Sequence, residues 1–286
     1  MGISSLQQSS LCHLFKRALA QFLAHDMLTH AKAVTYQVLF SFFPFIIFFI
    51  ALLGFFDLSN LFDLLRRQSE VFFLIETAPQ LNSVLDQMQE RRHGILSLGF
   101  AFSIWASSSA MRSMMKALNV VYGIKEGRPG WKRYTLSAIT TLAIGIMLAM
   151  AVTLLLIRPV AMQTLVQQFG VKPLFAMMWT WWLRWPAFVL LLTITVTVVY
   201  WTAPNIRQRF SHVMPGAFLA VFAWLAASLT FDLYVRNVAG YDHLYGSIGT
   251  AVVLLLYFFI SSIIFLFGAE VNAAVAHYAL WEKRKR

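Results

Sequence analysis

One stretch of the chain carries hydroxyl and cationic side chains inside an otherwise apolar segment. Trp105, Ser108, Ser109 and Arg112 follow the spacing i, i+3, i+4, i+7, which predicts one shared face of a helix. Serine hydroxyls do not favour lipid tails, so we expect this face to look into a helix bundle or a wet cavity. A guanidinium there can bind a phosphate through charge-assisted hydrogen bonds. A second role fits equally well, because a cation near a helix C-terminus is favoured by the helix dipole and can snorkel.

A carboxylate near the end of the last apolar segment is the other candidate for chemistry. Glu270 lies in the run Phe267-Gly268-Ala269-Glu270-Val271. An unpaired charge at bilayer depth costs roughly 2.5–3.5 kcal/mol or more, so such a residue is expected to face inward with a partner. We expect Arg112 to be that partner, since both residues are predicted at the same end of their helices. The pair serves either a substrate path or a structural network that packs helices together.

Hydrolytic chemistry finds little support in the sequence. The 7 histidines are scattered and include no HExxH pattern or paired Cys/His ligand set. The nearest thing to a cluster, His25-Asp26 with His30, falls outside the apolar segments, and the chain contains no P-loop. We therefore expect no metal, no cofactor and no enzyme activity.

The elements that must position these residues are six apolar segments without Asp, Glu, Lys or Arg. Five of them run 22 to 26 residues and the sixth runs 19, and about 20 residues suffice to cross a bilayer. This pattern predicts an all-α, polytopic membrane protein with six transmembrane helices. The six windows are Ala33–Phe56, His93–Met111, Tyr134–Ile157, Trp185–Ile206, Phe210–Phe231 and Leu244–Ala269.

The sequence divides into three regions around these windows. Residues 1–32 form an N-terminal segment, residues 33–280 the membrane domain and residues 281–286 a basic tail. Within the membrane domain, residues 57–92 are too long for a structureless connector, and their periodicity predicts two short helices that cap the outer side of the bundle. Prolines bound the loop between spans 4 and 5, which is expected between Pro204 and Pro215, and the last helix is expected to end at about Leu280.

The N-terminal segment contains an amphipathic helix. Its apolar residues recur at helical spacing, and this pattern fits a helix on the cytoplasmic face of the membrane. It fits equally well a first helix that packs against the bundle. The residues of the apolar stripe are Leu11, Leu14, Phe15, Ala18, Leu19, Phe22 and Leu23.

The distribution of the net charge of +11 indicates orientation rather than nucleic-acid binding. Lys and Arg number 15 on the side of the termini and 8 on the other side, which places both termini in the cytoplasm under the positive-inside rule. Basic residues next to a membrane attract anionic headgroups, by about 1 kcal/mol each. We therefore expect membrane phospholipid, and no nucleic acid, as a partner.

Several short motifs together resemble the YihY/BrkB family of bacterial inner-membrane proteins, some of which were long labelled ribonuclease BN. Taken singly the motifs are weak, but their order along spans 1 to 6 is specific. They are Ser41-Phe42-Phe43-Pro44, Trp105-Ala106-Ser107-Ser108-Ser109 with Arg112, Ala117-Leu118-Asn119-Val120-Val121-Tyr122-Gly123, Pro204-Asn205, Pro215-Gly216-Ala217, Tyr245-Gly246-Ser247-Ile248-Gly249 and Gly268-Ala269-Glu270-Val271-Asn272.

The resemblance implies a multi-pass protein of the bacterial inner membrane that serves envelope maintenance. The leading hypothesis is transport of lipid or another amphiphile, alone or with a partner that spans the periplasm. The competing hypothesis is a scaffold for envelope assemblies, in which the polar residues serve only packing; ribonuclease activity is not expected. The transport hypothesis predicts a polar path lined by Ser108, Ser109, Arg112, Asn205, Glu270 and Asn272.

Overall fold

The computed structural model describes residues 3–55, 95–156, 182–206, 208–237 and 241–285, and these ranges are helical apart from short connections. The all-α prediction is therefore confirmed for this part of the chain. The helices are α1 (Ile3–Ala24), α2 (Met27–Phe55), α3 (Ile95–Val121), α4 (Gly130–Leu156), α5 (Arg184–Thr202), α6 (Phe210–Asn237) and α7 (Tyr241–Lys285). The predicted outer helices of residues 57–92 lie outside the described residues.

Four helices contain segments that are long and apolar enough to cross a membrane. In the described part of the chain these segments are Gly130–Ala151, Arg184–Thr202, Phe210–Val235 and Ala251–Ala276. They overlap four of the six predicted windows, with ends that differ by up to seven residues. The helices α2 and α3, of 29 and 27 residues, overlap the other two windows.

The chain divides into two compact units. Unit 1 contains Met1–Ser41, Ser108–Thr140 and Thr193–Arg286, and unit 2 contains Phe42–Ser107 and Thr141–Leu192. All the hydrogen bonds and ion pairs described below lie within unit 1.

The helices α6 and α7 cross at two glycines, Gly216 and Gly268, at a distance that leaves no room for a side chain. A Cβ on Gly268 would lie 2.7 Å from the carbonyl oxygen of Gly216 and 2.6 Å from the hydroxyl of Tyr200. That hydroxyl donates to the carbonyl of Phe265 at 2.5 Å. Small residues let membrane helices approach closely, and here they bring the backbones of α6 and α7 together, with the hydroxyl of Tyr200 packed against the same point.

Two helix boundaries differ from the sequence prediction. Pro215 lies inside α6 and does not mark its beginning, because α6 begins at Phe210. Proline has no N–H to donate and disturbs the helix around it, and the N–H of the following residue, Gly216, donates to Oδ1 of Asn272 at 2.7 Å. The helix α7 continues to Lys285 rather than Leu280, since Glu, Lys and Arg favour helix and no glycine or proline intervenes.

The first helix packs against the last. Ala18 and Phe22 are buried, and the rings of Phe15 and Phe22 contact the ring of Phe267 in α7 at 5.2 and 5.9 Å. Phe15 keeps part of its surface exposed, and two further residues of the predicted stripe, Leu19 and Leu23, stay exposed, with Leu23 the most exposed at 63%. The structure therefore supports packing against the bundle, while the exposed part of the stripe leaves the interfacial location as a prediction.

Candidate functional site

The guanidinium of Arg112 lies among hydroxyl groups and an aromatic ring at the beginning of α4. Its Nη1 donates to Oγ of Ser108 at 2.6 Å and to Oγ of Ser137 at 3.5 Å. Its Cζ lies 4.6 Å from the centre of the Tyr134 ring, a cation–π contact, and Arg133 approaches the same ring at 5.8 Å. In the described part of the chain, no carboxylate lies within ion-pair distance of Arg112. Among the residues that the structure describes, none therefore neutralises the positive charge of Arg112.

The neighbouring serine faces α2 rather than the arginine. The amide of Gln37 donates to Oγ of Ser109 at 2.6 Å, and the hydroxyl of Ser41 lies 2.8 Å from the same oxygen. Ser107 and Ser108 are buried, while Ser109 is half-buried, and the inward orientation of this serine face towards a bundle or cavity stays a prediction. Trp105 was expected on the same inward face and is instead 59% exposed.

Glu270 is fully buried and pairs with a histidine. Its Oε1 lies 2.7 Å from Nδ1 of His25, which is contributed by the turn between α1 and α2. The expected ion pair between Arg112 and Glu270 is therefore wrong. The reason is that α1 packs on α7 and brings His25 to the carboxylate, while the side chain of Arg112 turns towards α4.

A phenol lies near this pair. The hydroxyl of Tyr122 is buried and has no hydrogen-bond partner among the described residues. Burial raises its pKa, and the nearby charge of Glu270 raises it further, while Gln208 is close enough to lower it without reaching hydrogen-bond geometry. The protonated phenol is thus the stable form beside Glu270.

A third group of polar contacts, made of hydrogen bonds and one ion pair, links the α3–α4 connection to the α5–α6 connection. Asn119 donates from Nδ2 to Oε2 of Glu126 at 2.9 Å, and its Oδ1 accepts the N–H of Asn205 at 2.8 Å. Arg128 pairs with Glu126 at 2.9 Å and also donates to the carbonyl of Ala203 at 2.6 Å. Burial by itself raises the pKa of Glu126, but the bonds from Arg128 and Asn119 outweigh it and leave this pKa lowered.

Gly123 terminates α3 just before the α3–α4 connection. Its φ is +65°, and its N–H donates to the carbonyl of Val120 at 2.9 Å while the N–H of Ile124 donates to the carbonyl of Asn119 at 2.8 Å. These two bonds form a Schellman motif, which glycine favours because it adopts positive φ without strain. The motif fixes Asn119 at the point where its side chain reaches both connections.

Five of the six predicted path residues fall into three groups of contacts, and the sixth stands apart. Ser108, Ser109 and Arg112 belong to the first group, around the beginning of α4 and the facing part of α2. Glu270 belongs to the second with His25. Asn272, two residues further along α7, instead accepts the N–H of Gly216. Asn205 belongs to the third through its backbone N–H.

The predicted motif residues have mainly packing roles where the structure describes them. Gly216 and Gly268 form the α6–α7 crossing, Gly249 is buried in α7, and Pro44 lies inside α2. Pro204 is buried in the α5–α6 connection, and Tyr245 and Gly246 lie in the first turns of α7.

Sequence reasoning missed the partners that complete these groups. His25 and Glu270 are 245 residues apart, and the only local feature at His25, its grouping with Asp26 and His30, was not interpreted as a site. No group of three or more His, Cys, Asp or Glu residues that could hold a metal ion occurs in the described ranges. Tyr134 and Ser137 were missed as well, although an aromatic residue next to Arg133 at a helix start is a usable signal for a cation site.

The chain is similar to one protein family over nearly its whole length. The family model described as "Virulence factor BrkB" matches residues 18–286. A Bacillus subtilis protein named as ribonuclease-like, YfkH, is 29% identical over 276 residues, which cover 95% of this chain and 96% of that protein.

Two further relatives are named only as UPF0761 membrane proteins. The one from Aeromonas salmonicida is 26% identical, and the match covers 89% of this chain and 86% of the relative. The one from Chromohalobacter salexigens is 28% identical over 90% of this chain but only 62% of its own length. No solved structure matches the chain.

Proposed function

We propose, on the premise that the chain belongs to the virulence factor BrkB family of membrane proteins, that it takes part in transport of lipid or another amphiphile across or out of the bacterial inner membrane. The observation that supports this is the environment of Arg112. Its charge is held against Tyr134 by hydroxyl groups, and no carboxylate of the described residues neutralises it. An anionic ligand is the natural complement of such a site.

The ligand chemistry that suits Arg112 is a phosphodiester headgroup. Guanidinium groups bind phosphate oxygens through paired, charge-assisted hydrogen bonds. Trp131, 67% exposed, and Tyr134, 46% exposed, lie in the first turns of α4, and aromatic side chains of this kind are enriched at membrane interfaces. Lys132, over the ring of Trp131 at 5.4 Å, adds charge that attracts anionic lipid.

The proposal includes a topology of six spans with both termini in the cytoplasm. It is supported by the four apolar spans, by the lengths of α2 and α3, and by the excess of Lys and Arg on the side of the termini. The chain has 1 cysteine, so a Cys12→Ser background allows single cysteines to be placed at will. In intact cells, an impermeant maleimide should label Gln80→Cys and spare Lys125→Cys; the reverse pattern would invert the topology.

Lipid translocation in proteoliposomes tests the function directly. Headgroup-labelled phospholipid is incorporated in both leaflets, and an impermeant quencher is added outside. In wild type, quenching should proceed well beyond the half of the label that lies in the outer leaflet. Arg112→Ala should slow this additional quenching by about tenfold or more, since a hydrogen bond to a charged group contributes roughly 1.5–3 kcal/mol.

The matched control is Lys116→Ala. Lys116 is exposed, lies one turn from Arg112 on the same helix and carries the same charge, so its loss should change the rate little. If wild type does not exceed empty vesicles for zwitterionic or anionic phospholipid, intrinsic translocation of these lipids is refuted. A scaffold for envelope assemblies would then be the better account of the fold.

The proposal also holds that the chain is not a ribonuclease, although its Bacillus subtilis relative is named as ribonuclease-like. Its support is the sequence, whose histidines and single cysteine match no metal-hydrolase motif. Purified protein incubated with structured and single-stranded RNA, with Mg²⁺, Mn²⁺ or Zn²⁺, should leave the RNA intact. Cleavage that follows the protein through two purification steps would overturn this part of the proposal.

A further inference from the structure

Buried polar atoms without hydrogen-bond partners occur at Glu270, at Tyr122, which interacts with Glu270, and one turn before its partner His25, and the lipid site proposed at Arg112 uses none of them. Glu270 is 0% exposed, and its second oxygen, Oε2, has no hydrogen-bond partner among the described residues. The same is true of the hydroxyl of Tyr122 and of Oε1 of Gln21, one turn before His25. Native interiors leave few such atoms unsatisfied, so a concentration of them points to a function.

The hydrogen bond between His25 and Glu270 is suited to carry a proton. A carboxylate removed from water is stable when it is either protonated or paired with a cation. With one proton between them, the imidazole and the carboxyl group are together neutral. A second proton would leave a buried positive charge, and loss of the first would leave a buried negative charge, so each change of proton count costs free energy in the packed state.

The two residues differ in their access to water, which gives the pair a direction. The side chain of His25 is 31% exposed, whereas that of Glu270 is 0% exposed. A proton from solvent therefore reaches the imidazole first and passes from Nδ1 to Oε1 along the 2.7 Å hydrogen bond. Histidine is suited to this exchange because it both accepts and donates protons under physiological conditions.

The pair also joins two parts of unit 1. His25 lies in the turn between α1 and α2, where Asp26 has a φ of +49°, a conformation that few residues other than glycine adopt. Glu270 lies in α7, which also forms the close crossing with α6. A change in the pair would therefore act on the α1–α2 turn and on α7 together.

The other titratable groups around the pair are few in the described ranges. Tyr122, at the end of α3, interacts with Glu270, and Tyr200 of α5 interacts with Tyr122. Asp26 and His30 follow His25 along the chain; Asp26 is exposed and His30 half-buried. Among these groups, His25 is the titratable side chain that bonds to Glu270.

We propose that His25 and Glu270 form a proton-binding site through which the transmembrane proton gradient drives or gates transport. This inference rests on the proposed function for its role in transport, but not for proton binding itself. The site takes one proton from water, and the energy source it implies is the gradient rather than a nucleotide.

Proton binding is tested first, on the full chain in liposomes without any transport. Infrared difference spectra recorded between two pH values should show the carbonyl band of a protonated, buried carboxylic acid. The band should be lost in Glu270→Gln and retained in Asp26→Asn, which makes the same acid-to-amide change at an exposed neighbour. His25→Gln is the second variant, and in it the acid should stay protonated at both pH values, so its band should remain in the absolute spectra and vanish from the difference spectrum. An unchanged band in Glu270→Gln, or none in wild type, would overturn the inference.

Lipid translocation under an imposed pH difference is the second arm. The logarithm of the wild-type rate should change with pH with a slope approaching about one, as binding of a single proton gives. His25→Gln and Glu270→Gln should lose this dependence, while Asp26→Asn keeps it. Translocation that is fast but independent of pH would refute the coupling and leave the proposed function standing. A pH-sensitive carbonyl band without translocation would keep the proton site and refute the proposed function.

Discussion

Replacement of Gly216 by alanine tests the closest helix contact in the structure. A Cβ at this position would collide with the carbonyl oxygen of Gly268 and lie 2.5 Å from Oδ1 of Asn272. The carbonyl belongs to the backbone of α7 and cannot move alone, so the side chain of Asn272 must move. That movement breaks the hydrogen bond from the N–H of Gly216, which is 2.7 Å long.

The magnitude follows from three effects of the added methyl group. Overpacking a closed contact costs about 1–3 kcal/mol, and a buried N–H left without its acceptor costs about another 1–3 kcal/mol. The better helix propensity of alanine returns about 1 kcal/mol. We therefore expect Gly216→Ala to lower the free energy of unfolding by about 3 kcal/mol.

The assay is reversible unfolding of the detergent-purified protein by increasing SDS, followed by tryptophan fluorescence, for which the chain provides 9 Trp. Two glycines serve as matched controls, because no atom lies within 4 Å of a Cβ on either. Gly130→Ala should be nearly neutral. Gly123→Ala should cost about 1–2 kcal/mol from its positive φ alone, without a clash.

A double substitution sharpens the test. Gly268→Ala disturbs the same crossing from the other helix. The loss of stability in the double variant should therefore be smaller than the sum of the losses in the two single variants. If the free energy of unfolding of Gly216→Ala lies within about 0.5 kcal/mol of that of Gly130→Ala, the close crossing is refuted. Full additivity of the two crossing variants would refute the shared contact.

Three further predictions concern the connections and the core. Asn119→Ala removes a donor and an acceptor at once and should cost about 2–3 kcal/mol in the same SDS titration, whereas a loss below about 0.5 kcal/mol would contradict the bridging role. Tyr200→Phe should lower the free energy of unfolding by only about 1 kcal/mol, because the carbonyl of Phe265 lies inside α7 and can still accept a hydrogen bond within that helix. A loss above about 3 kcal/mol would contradict this. The pKa of Glu126 is lowered from 4.5, so its bonds to Arg128 stabilise the fold above that pH and are lost as pH falls through the lowered value. Unfolding measured from neutral pH to about pH 3 should therefore show an acid-dependent loss that is smaller in Glu126→Gln, and equal slopes for the two proteins would contradict it.

The sequence alone was sufficient for the class of the protein and for most helix positions. An apolar run of about 20 residues has few alternatives to a membrane helix, and this property is local. Four of the predicted windows therefore reappear as apolar spans, and the glycine at 123 ends α3 as helix-stop chemistry requires. The error at Pro215 was also local in origin, because proline was taken as a boundary although a helix can continue through it when the freed groups find other partners.

The tertiary structure alone decided which polar residues meet. Arg112 and Glu270 looked like partners because each carried a charge near the same end of its helix, and no local signal pointed to His25. The outcome depends on the packing of α1 against α7 and on the rotation of α3, which turns Arg112 to Tyr134. Charge and hydropathy fix where a helix lies in the membrane, whereas its neighbours and its rotation follow from shape, as at the crossing of Gly216 and Gly268.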